Sequence, residues 1–211
     1  GRSISNPAAP CIAAMIGVLK AGRFFVLFDP SLPKARLEAI LDDCSPDLTI
    51  TNRQNVLLAN ELMLDGQPVI DLESVDDKLP VDNLCREILP DTLAFIVHTS
   101  GSSGRPKGVI TNHRIVLHHL MLRSNADKFC AQDRIPHLTS GTANAIIASF
   151  GALLNGAALL LFDVNKEGVG GLSRWLVQEK ITILPIAAPL FRSLCEVLTE
   201  GDRFPDIRLL R

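Results

Sequence analysis

The stretch Leu93-Ala-Phe-Ile-Val-His-Thr-Ser-Gly-Ser-Ser-Gly-Arg-Pro-Lys-Gly-Val109 brings together the residue types that a polyphosphate requires. Such a ligand carries several negative charges and needs many donors converging from a backbone that can approach closely. Gly101 and Gly104 permit that approach and give access to φ > 0. Thr99, Ser100, Ser102 and Ser103 add hydroxyl donors, and successive backbone N–H groups can form an anion nest. Lys107 supplies the compact positive charge suited to phosphate, and Pro106 stiffens the exit of the loop. A Walker A loop is excluded, because that pattern needs Gly-Lys-Ser/Thr opening a helix, whereas Pro106 precedes Lys107 and a strand-like run follows.

The elements that must hold this loop follow from hydrophobic periodicity. A helix is predicted over Ala8–Lys20, with Ile12, Met15, Ile16 and Leu19 on one face and Gly22 as its stop. Phe24–Phe28 has the continuous apolar pattern of a strand buried on both faces. A second helix is expected over Lys34–Asp43, then strands at Asp47–Thr51 and Pro68–Asp71. Between Leu72 and Asp91 periodicity weakens and acids accumulate, as expected of a domain boundary or a long connection. Thr92–His98 reads as a buried strand leading into the loop, and Gly108–Thr111 as a short return strand. Helices are then expected at Arg114–Asn125, Ala143–Leu154, Gly171–Glu179 and Pro189–Leu198, with strands at Ala157–Phe162, Ile181–Leu184 and Ile207–Leu210. This alternation predicts an α/β fold of layered, mostly parallel sheets flanked by helices. It is divided into two lobes, residues 1–88 and 89–211, the first incomplete at its N-terminus and the second at its C-terminus.

Composition narrows the function. The 211 residues are 47% hydrophobic with a formal net charge of −2, and they include nine Phe, one Trp and no Tyr. Neither a basic surface nor a base-stacking platform for nucleic acid is indicated. No apolar run reaches the length of a membrane span, since Ala143–Phe162 is broken by Gly151, Asn155 and Gly156. The five cysteines are scattered and odd in number, which argues against a zinc site or a disulfide framework. They read as small buried hydrophobes in a reducing, cytoplasmic setting, Cys195 among them. His118 and His119 are adjacent and make a poor metal pair; no metal ligand is assigned. His98 reads as a strand-packing residue, Trp175 as the anchor of its helix, and Asp29 as a turn or helix-start acceptor.

At Thr99–Gly108 the chain resembles the adenylate-forming superfamily, which includes acyl-CoA synthetases, luciferases and the adenylation domains of nonribosomal peptide synthetases. Their signature is close to Thr-Ser-Gly-Ser/Thr-Thr-Gly-x-Pro-Lys-Gly, and only Ser103 departs from it. Leu19-Lys-Ala-Gly-Arg-Phe-Phe-Val-Leu-Phe-Asp-Pro30 is similar to a second segment of the synthetase branch, with Pro33 and Arg36 also in place. Ser149-Phe-Gly-Ala-Leu-Leu-Asn-Gly-Ala157 is similar to a third. The resemblance implies the N-terminal core of an adenylation domain, truncated, which uses ATP with Mg²⁺ to turn a carboxylic acid into an acyl-adenylate. The acyl group then passes to a thiol, either coenzyme A or the phosphopantetheine of a carrier-protein domain. It further implies that Thr99, Ser100, Gly101, Ser102, Ser103, Gly104 and Lys107 hold the β- and γ-phosphates, with Lys107 the catalytic cation.

The resemblance also implies where the acid binds. Amino-acid-activating members carry Phe-Asp in the segment before Phe150, the Asp pairing with the substrate's ammonium group. Aligning on Phe150-Gly-Ala-Leu-Leu puts Ala143 at that Asp, with Asn144 and Ile147 further along the wall and Pro189 on another. Asp133 and Asp163 are the nearest acids, and neither fits the position. An ammonium buried without a carboxylate is costly, so an acid lacking the α-amine is expected. The family's later motifs, including the Mg²⁺ ligand, should follow Arg211, so this chain alone is not expected to exchange pyrophosphate into ATP. Two alternatives stay open: part of a free-standing acyl- or aryl-CoA ligase, or a non-catalytic nucleotide-binding or interaction fragment.

Overall fold

The computed structural model describes residues 8–63, 66–76, 78–100, 106–138 and 143–211. Tertiary contacts divide the chain into two compact units, Pro7–Ile115 and Val116–Arg211.

The first unit opens with α1 (Ala8–Lys20), which buries Ile12 and Met15. It stops where Gly22 takes φ +69° and its N–H donates to the Leu19 carbonyl at 2.9 Å, a left-handed helix end that suits glycine. β1 (Phe25–Val26) follows, then α2 (Lys34–Cys44), which starts after Pro33 and buries Leu37 and Ile40. β2 (Thr49–Thr51), α3 (Val56–Leu62) and β3 (Val69–Asp71) lead through a 3-10 turn at Leu72–Ser74 into an irregular connection. β4 (Leu93–Ser100) and β5 (Pro106–Asn112) end the unit. β1 pairs parallel to β4 and β4 antiparallel to β5, in the order β1-β4-β5, while β2 pairs parallel to β3. The irregular segment 72–91 thus lies inside this unit, because β1 and β4 pair across it.

The apolar run at Phe24–Phe28 forms a shorter strand than its pattern predicts. Only Phe25 and Val26 pair, Phe25 is buried in a stack on Phe95 (ring centroids 5.6 Å apart), and Phe24 is exposed. The helix α3 falls where the sequence pattern predicts none; it buries Ala59 alone, too little to leave a periodic signal. Asp29 accepts from the Ser31 N–H and hydroxyl at 2.9 and 2.6 Å, the turn expected of it.

In the second unit α4 (His113–Asp127), which begins before the division, leads to β6 (Arg134–His137), α5 (Ala143–Leu154), β7 (Ala158–Leu161), α6 (Val164–Gln178), β8 (Ile183–Leu184), α7 (Ala188–Val197) and β9 (Leu209–Leu210). β6 pairs with β7 and β8 with β9, both parallel. The Thr182 N–H donates to the Arg134 carbonyl at 3.0 Å and joins the two pairs. Leu138, Phe162, Leu172, Leu176, Ile181, Leu184 and Leu194 form one core, and Ile135, Ala152, Ala157 and Ile183 another. Trp175 packs on Phe162 with ring centroids 4.9 Å apart, so it anchors α6 as expected. α6 begins earlier than its periodicity predicts. Asp163 caps its first turn and Gly168 (φ 71°) bends it, which interrupts the pattern upstream of Gly171.

The cysteines need correction. All five are free, Cys11 and Cys44 are partly buried, but Cys85, Cys130 and Cys195 are exposed. Cys85 lies in the irregular connection and Cys130 in the turn before β6, where no second layer covers them. Cys195 sits on the outer side of α7, whose buried residue is Leu194. Among the described residues, no helix is long and apolar enough to cross a membrane.

Candidate functional site

The Gly/Ser segment closes an antiparallel hairpin. Register pairs Thr99 with Lys107 and Ser100 with Pro106, so residues 101–105 form the connection between β4 and β5. Gly101, Ser102, Ser103 and Gly104 themselves lie outside the described residues. The Thr99 hydroxyl donates across the strands to the Lys107 carbonyl at 3.4 Å, and Lys107 is exposed. The hairpin therefore sets a hydroxyl and an ammonium opposite each other across its strands near the Gly/Ser segment.

Besides its pairing with β1, polar contacts at both ends hold this two-stranded stem. At its far end the His113 N–H bonds the Thr92 carbonyl (3.0 Å), and Arg114 grips both oxygens of Asp91 at 2.8 and 3.0 Å. That bidentate hydrogen bonding holds the Asp91 carboxyl below the usual carboxylate range. Close to the tip, Asp43 near the end of α2 meets His98 of β4, Oδ2 to Nε2, at 2.9 Å. His98 is the packed strand residue its position suggests, but its partner, 55 positions away, is not identifiable from the sequence.

The predicted acid-pocket residues lie in the second unit. Ala143, Asn144 and Ile147 occupy the first turns of α5, with Ala143 and Ile147 one helical turn apart on the same side. Ala143 and Asn144 are exposed, and the first turn of α5 contains no acid. Pro189 is in the first turn of a different helix, α7, and is exposed. Below its first turns α5 is buried: Ile146, Ala148, Ser149, Phe150, Gly151 and Ala152 all face protein. The Ser149 hydroxyl donates to the Ala145 carbonyl at 2.8 Å and lies 2.9 Å from His137 Nδ1. Burial pushes the His137 imidazole below its ordinary pKa.

Both acids nearest the predicted pocket residues in sequence are committed elsewhere. Asp163 accepts from the Asn165 and Lys166 N–H groups as the cap of α6. Asp133, its side chain 3% exposed, accepts from Arg208 Nε (2.9 Å) and Nη2 (2.7 Å), the Thr182 hydroxyl (2.7 Å) and the Cys130 N–H (2.9 Å). Burial alone would raise the Asp133 carboxyl; these donors outweigh it and hold the group well below the usual carboxylate range. Arg208 and Thr182 carry no signal in the sequence, because nothing local marks a residue that serves a carboxylate many positions away. Among the described residues no cluster of three or more His, Cys, Asp or Glu side chains could hold a metal ion.

Comparison with known proteins identifies the family. Residues 6–210 match the model of the AMP-binding enzyme family. The chain is 36% identical over 197 residues to a plipastatin synthase component and 33% identical over 196 residues to a surfactin synthase component, both of Bacillus subtilis (strain 168). Each match covers 90% of this chain and 5% of the relative, so the chain spans a small part of the proteins it matches. The nonribosomal peptide synthetase FmoA3 has the same fold, with a TM-score of 0.83 at 22% identity over 95% of this chain and 21% of that one. FmoA3 has also been solved in an AMPPNP-bound form and in an α-methyl-L-serine-AMP-bound form. A family match across nearly the whole chain leads to one conclusion: this chain belongs to the AMP-binding, adenylate-forming enzyme family.

Proposed function

We propose that this chain is the part of an adenylation domain that holds the ATP polyphosphate and one wall of the acid pocket. The β4/β5 hairpin carries the reading, since it closes the Gly/Ser segment with Thr99 and Lys107 in register. Thr99, Ser100, Gly101, Ser102, Ser103 and Gly104 bind the β- and γ-phosphates with hydroxyl and backbone donors, and Lys107 neutralises charge that builds on them. In the reaction a carboxylate oxygen of the substrate attacks the α-phosphorus and the bond to the bridging oxygen of the β-phosphate breaks. Pyrophosphate leaves with that electron pair. The residues of this chain hold the nucleotide and stabilise charge, the two contributions such a transfer needs most. No residue is assigned to Mg²⁺, whose chemistry is charge neutralisation on the phosphates.

Ala143, Asn144, Ile147 and Pro189 line the acid pocket. Asp133 and Asp163 are engaged by other groups, so neither is free to pair with an ammonium. An acid lacking the α-amine is the substrate class that follows. The relatives are components of peptide synthetases, which favours a carrier-protein phosphopantetheine over coenzyme A as the acceptor and a cytoplasmic location.

Calorimetric titration of the chain with ATP tests the loop. Lys107→Ala is expected to weaken binding at least ~10-fold, as loss of a charge-assisted contact would; equal affinity of the two proteins would sink the reading. The acid class is tested in the complete adenylating domain by pyrophosphate exchange into ATP, using paired acids that differ only in the α-amine. The amine-free member should be preferred, and Ala143→Asp should reverse the order. Preference for the amino acid with Ala143 in place overturns the pocket assignment.

A further inference from the structure

The contact between Asp43 and His98 is built in an unexpected way. Asp43 lies in the last turn of α2, where the helix dipole disfavours a negative charge, and that turn contains no basic residue. Its carboxylate is 55% exposed, yet it meets an imidazole that is only 4% exposed. The other ring nitrogen, His98 Nδ1, is buried and has no hydrogen-bond partner among the described residues. Asp43 is therefore the one hydrogen-bonding partner that this buried ring has among them, and an imidazole with neither nitrogen satisfied would be costly.

Gly108 borders the contact. It pairs with His98 in the β4/β5 register, and α2 packs against β5. A Cβ on Gly108 would lie 3.4 Å from both Asp43 Oδ2 and His98 Nε2, and 3.1 Å from Ile96 Cγ2. The glycine of the Pro-Lys-Gly run thus leaves a slot in β5, through which a helix side chain reaches β4. Its φ is not in the left-handed range, so the missing side chain, not backbone freedom, is what the position uses.

The pair sits one residue from Thr99 on β4, and its slot one residue from Lys107 on β5. A one-residue slip of a strand sends its side chains to the opposite face, and Lys107 would then point away from the ligand. We propose that Asp43 and His98 are the positioning residues of the phosphate hairpin, the carboxylate passing through the Gly108 slot to lock Thr99 and Lys107 in register. This rests on the reading of the Gly/Ser segment as the polyphosphate loop.

The test compares wild type, Asp43→Ala, Asp43→Asn and Lys107→Ala. Each is measured for ATP affinity by calorimetry and for amide hydrogen exchange across residues 97–99 and 107–109. Asp43→Ala should weaken ATP binding ~10-fold and speed exchange ~10-fold in those two segments alone. Asp43→Asn keeps an oxygen that accepts from His98 Nε2–H, so it should recover both to within about threefold. A contact that only glues α2 to the sheet would instead lower the melting temperature, leaving ATP affinity and local exchange as in wild type; that result overturns the proposal. If Lys107→Ala loses ATP while Asp43→Ala keeps it, the loop reading stands and the pair fails. If wild type binds no ATP, the loop reading fails and, with it, the positioning role. Gly108→Ala is a second probe: its Cβ would press on Ile96 at 3.1 Å beside the pair and should speed exchange in the same two segments.

Discussion

The hairpin that carries the Gly/Ser segment and the helix that carries the acid-pocket residues are supported in opposite ways. In β5, Val109 and Ile110 are exposed; β4 is anchored by its pairing with β1 and the Phe95–Phe25 stack, and polar contacts, Arg114 on Asp91 and Asp43 on His98, hold the stem at either end. In α5, six residues from Ile146 to Ala152 are buried, and the helix packs against β6 and β7. Each is made rigid by the means its task leaves open. Under the proposed role, a strand tip that offers its backbone to an anion cannot be covered by side chains, so directional polar contacts fix it. A pocket wall needs only one accessible turn, so the rest of its helix can be fixed by close packing.

Removing Arg208 should disturb the packed unit most. Asp133 would remain buried with only Thr182 and Cys130 as donors, at a cost of about 3 kcal/mol. That is the lower end for a broken buried pair, because the Arg208 side chain is itself 39% exposed. Trp175 is the only tryptophan and lies in this unit, so the urea midpoint of its fluorescence reads the loss. An unchanged midpoint would show that the second unit does not depend on the network. Next comes Gly151→Ala. The added Cβ would meet Phe129 Cε2 at 2.9 Å, and overpacking of this kind costs about 1 to 3 kcal/mol by the same fluorescence readout.

A smaller effect is the pH dependence of the second unit. His137 is held below its ordinary pKa of 6.5 by burial, so on acidification the unfolded chain takes up its proton first. Stability therefore falls as the pH drops below 6.5. His137→Gln should flatten the Trp175 midpoint between about pH 7.5 and 5.5; an unaltered slope would remove His137 as the cause. Asp133 adds a separate loss only below its ordinary value of 3.8, where the unfolded carboxylate protonates before the folded one. The smallest effect is Arg114→Ala. Both partners are exposed, and the melting transition followed by circular dichroism should stay within error of wild type. A shift as large as that of Arg208→Ala would erase the contrast between the two regions.

Much of this molecule is written locally. The limits of α1 and α5, the loop between two strands, and the α/β class all come from patterns a few residues long: the 3.6-residue apolar period, the alternation of elements, and two glycines among hydroxyls before Pro-Lys. Those patterns also suffice to place the chain in its family. They fail where local pattern and long-range pairing part company. β6, Arg134-Ile-Pro-His137, has no alternation and exists because β7 and the backbone of Thr182 receive it. Phe24–Phe28 has an unbroken apolar run but only two partners in β4. Cys85, Cys130 and Cys195 are apolar enough for a core, yet no element covers them. The same holds at the site. Residue types alone mark Thr99 to Lys107 and the missing acid at Ala143. Only the fold could bring Asp43 past Gly108 to His98, or three donated hydrogen bonds to Asp133 from Arg208 and Thr182. Local propensity acts over a few residues; these contacts join groups tens of residues apart, and their energies exist only once both partners are in place.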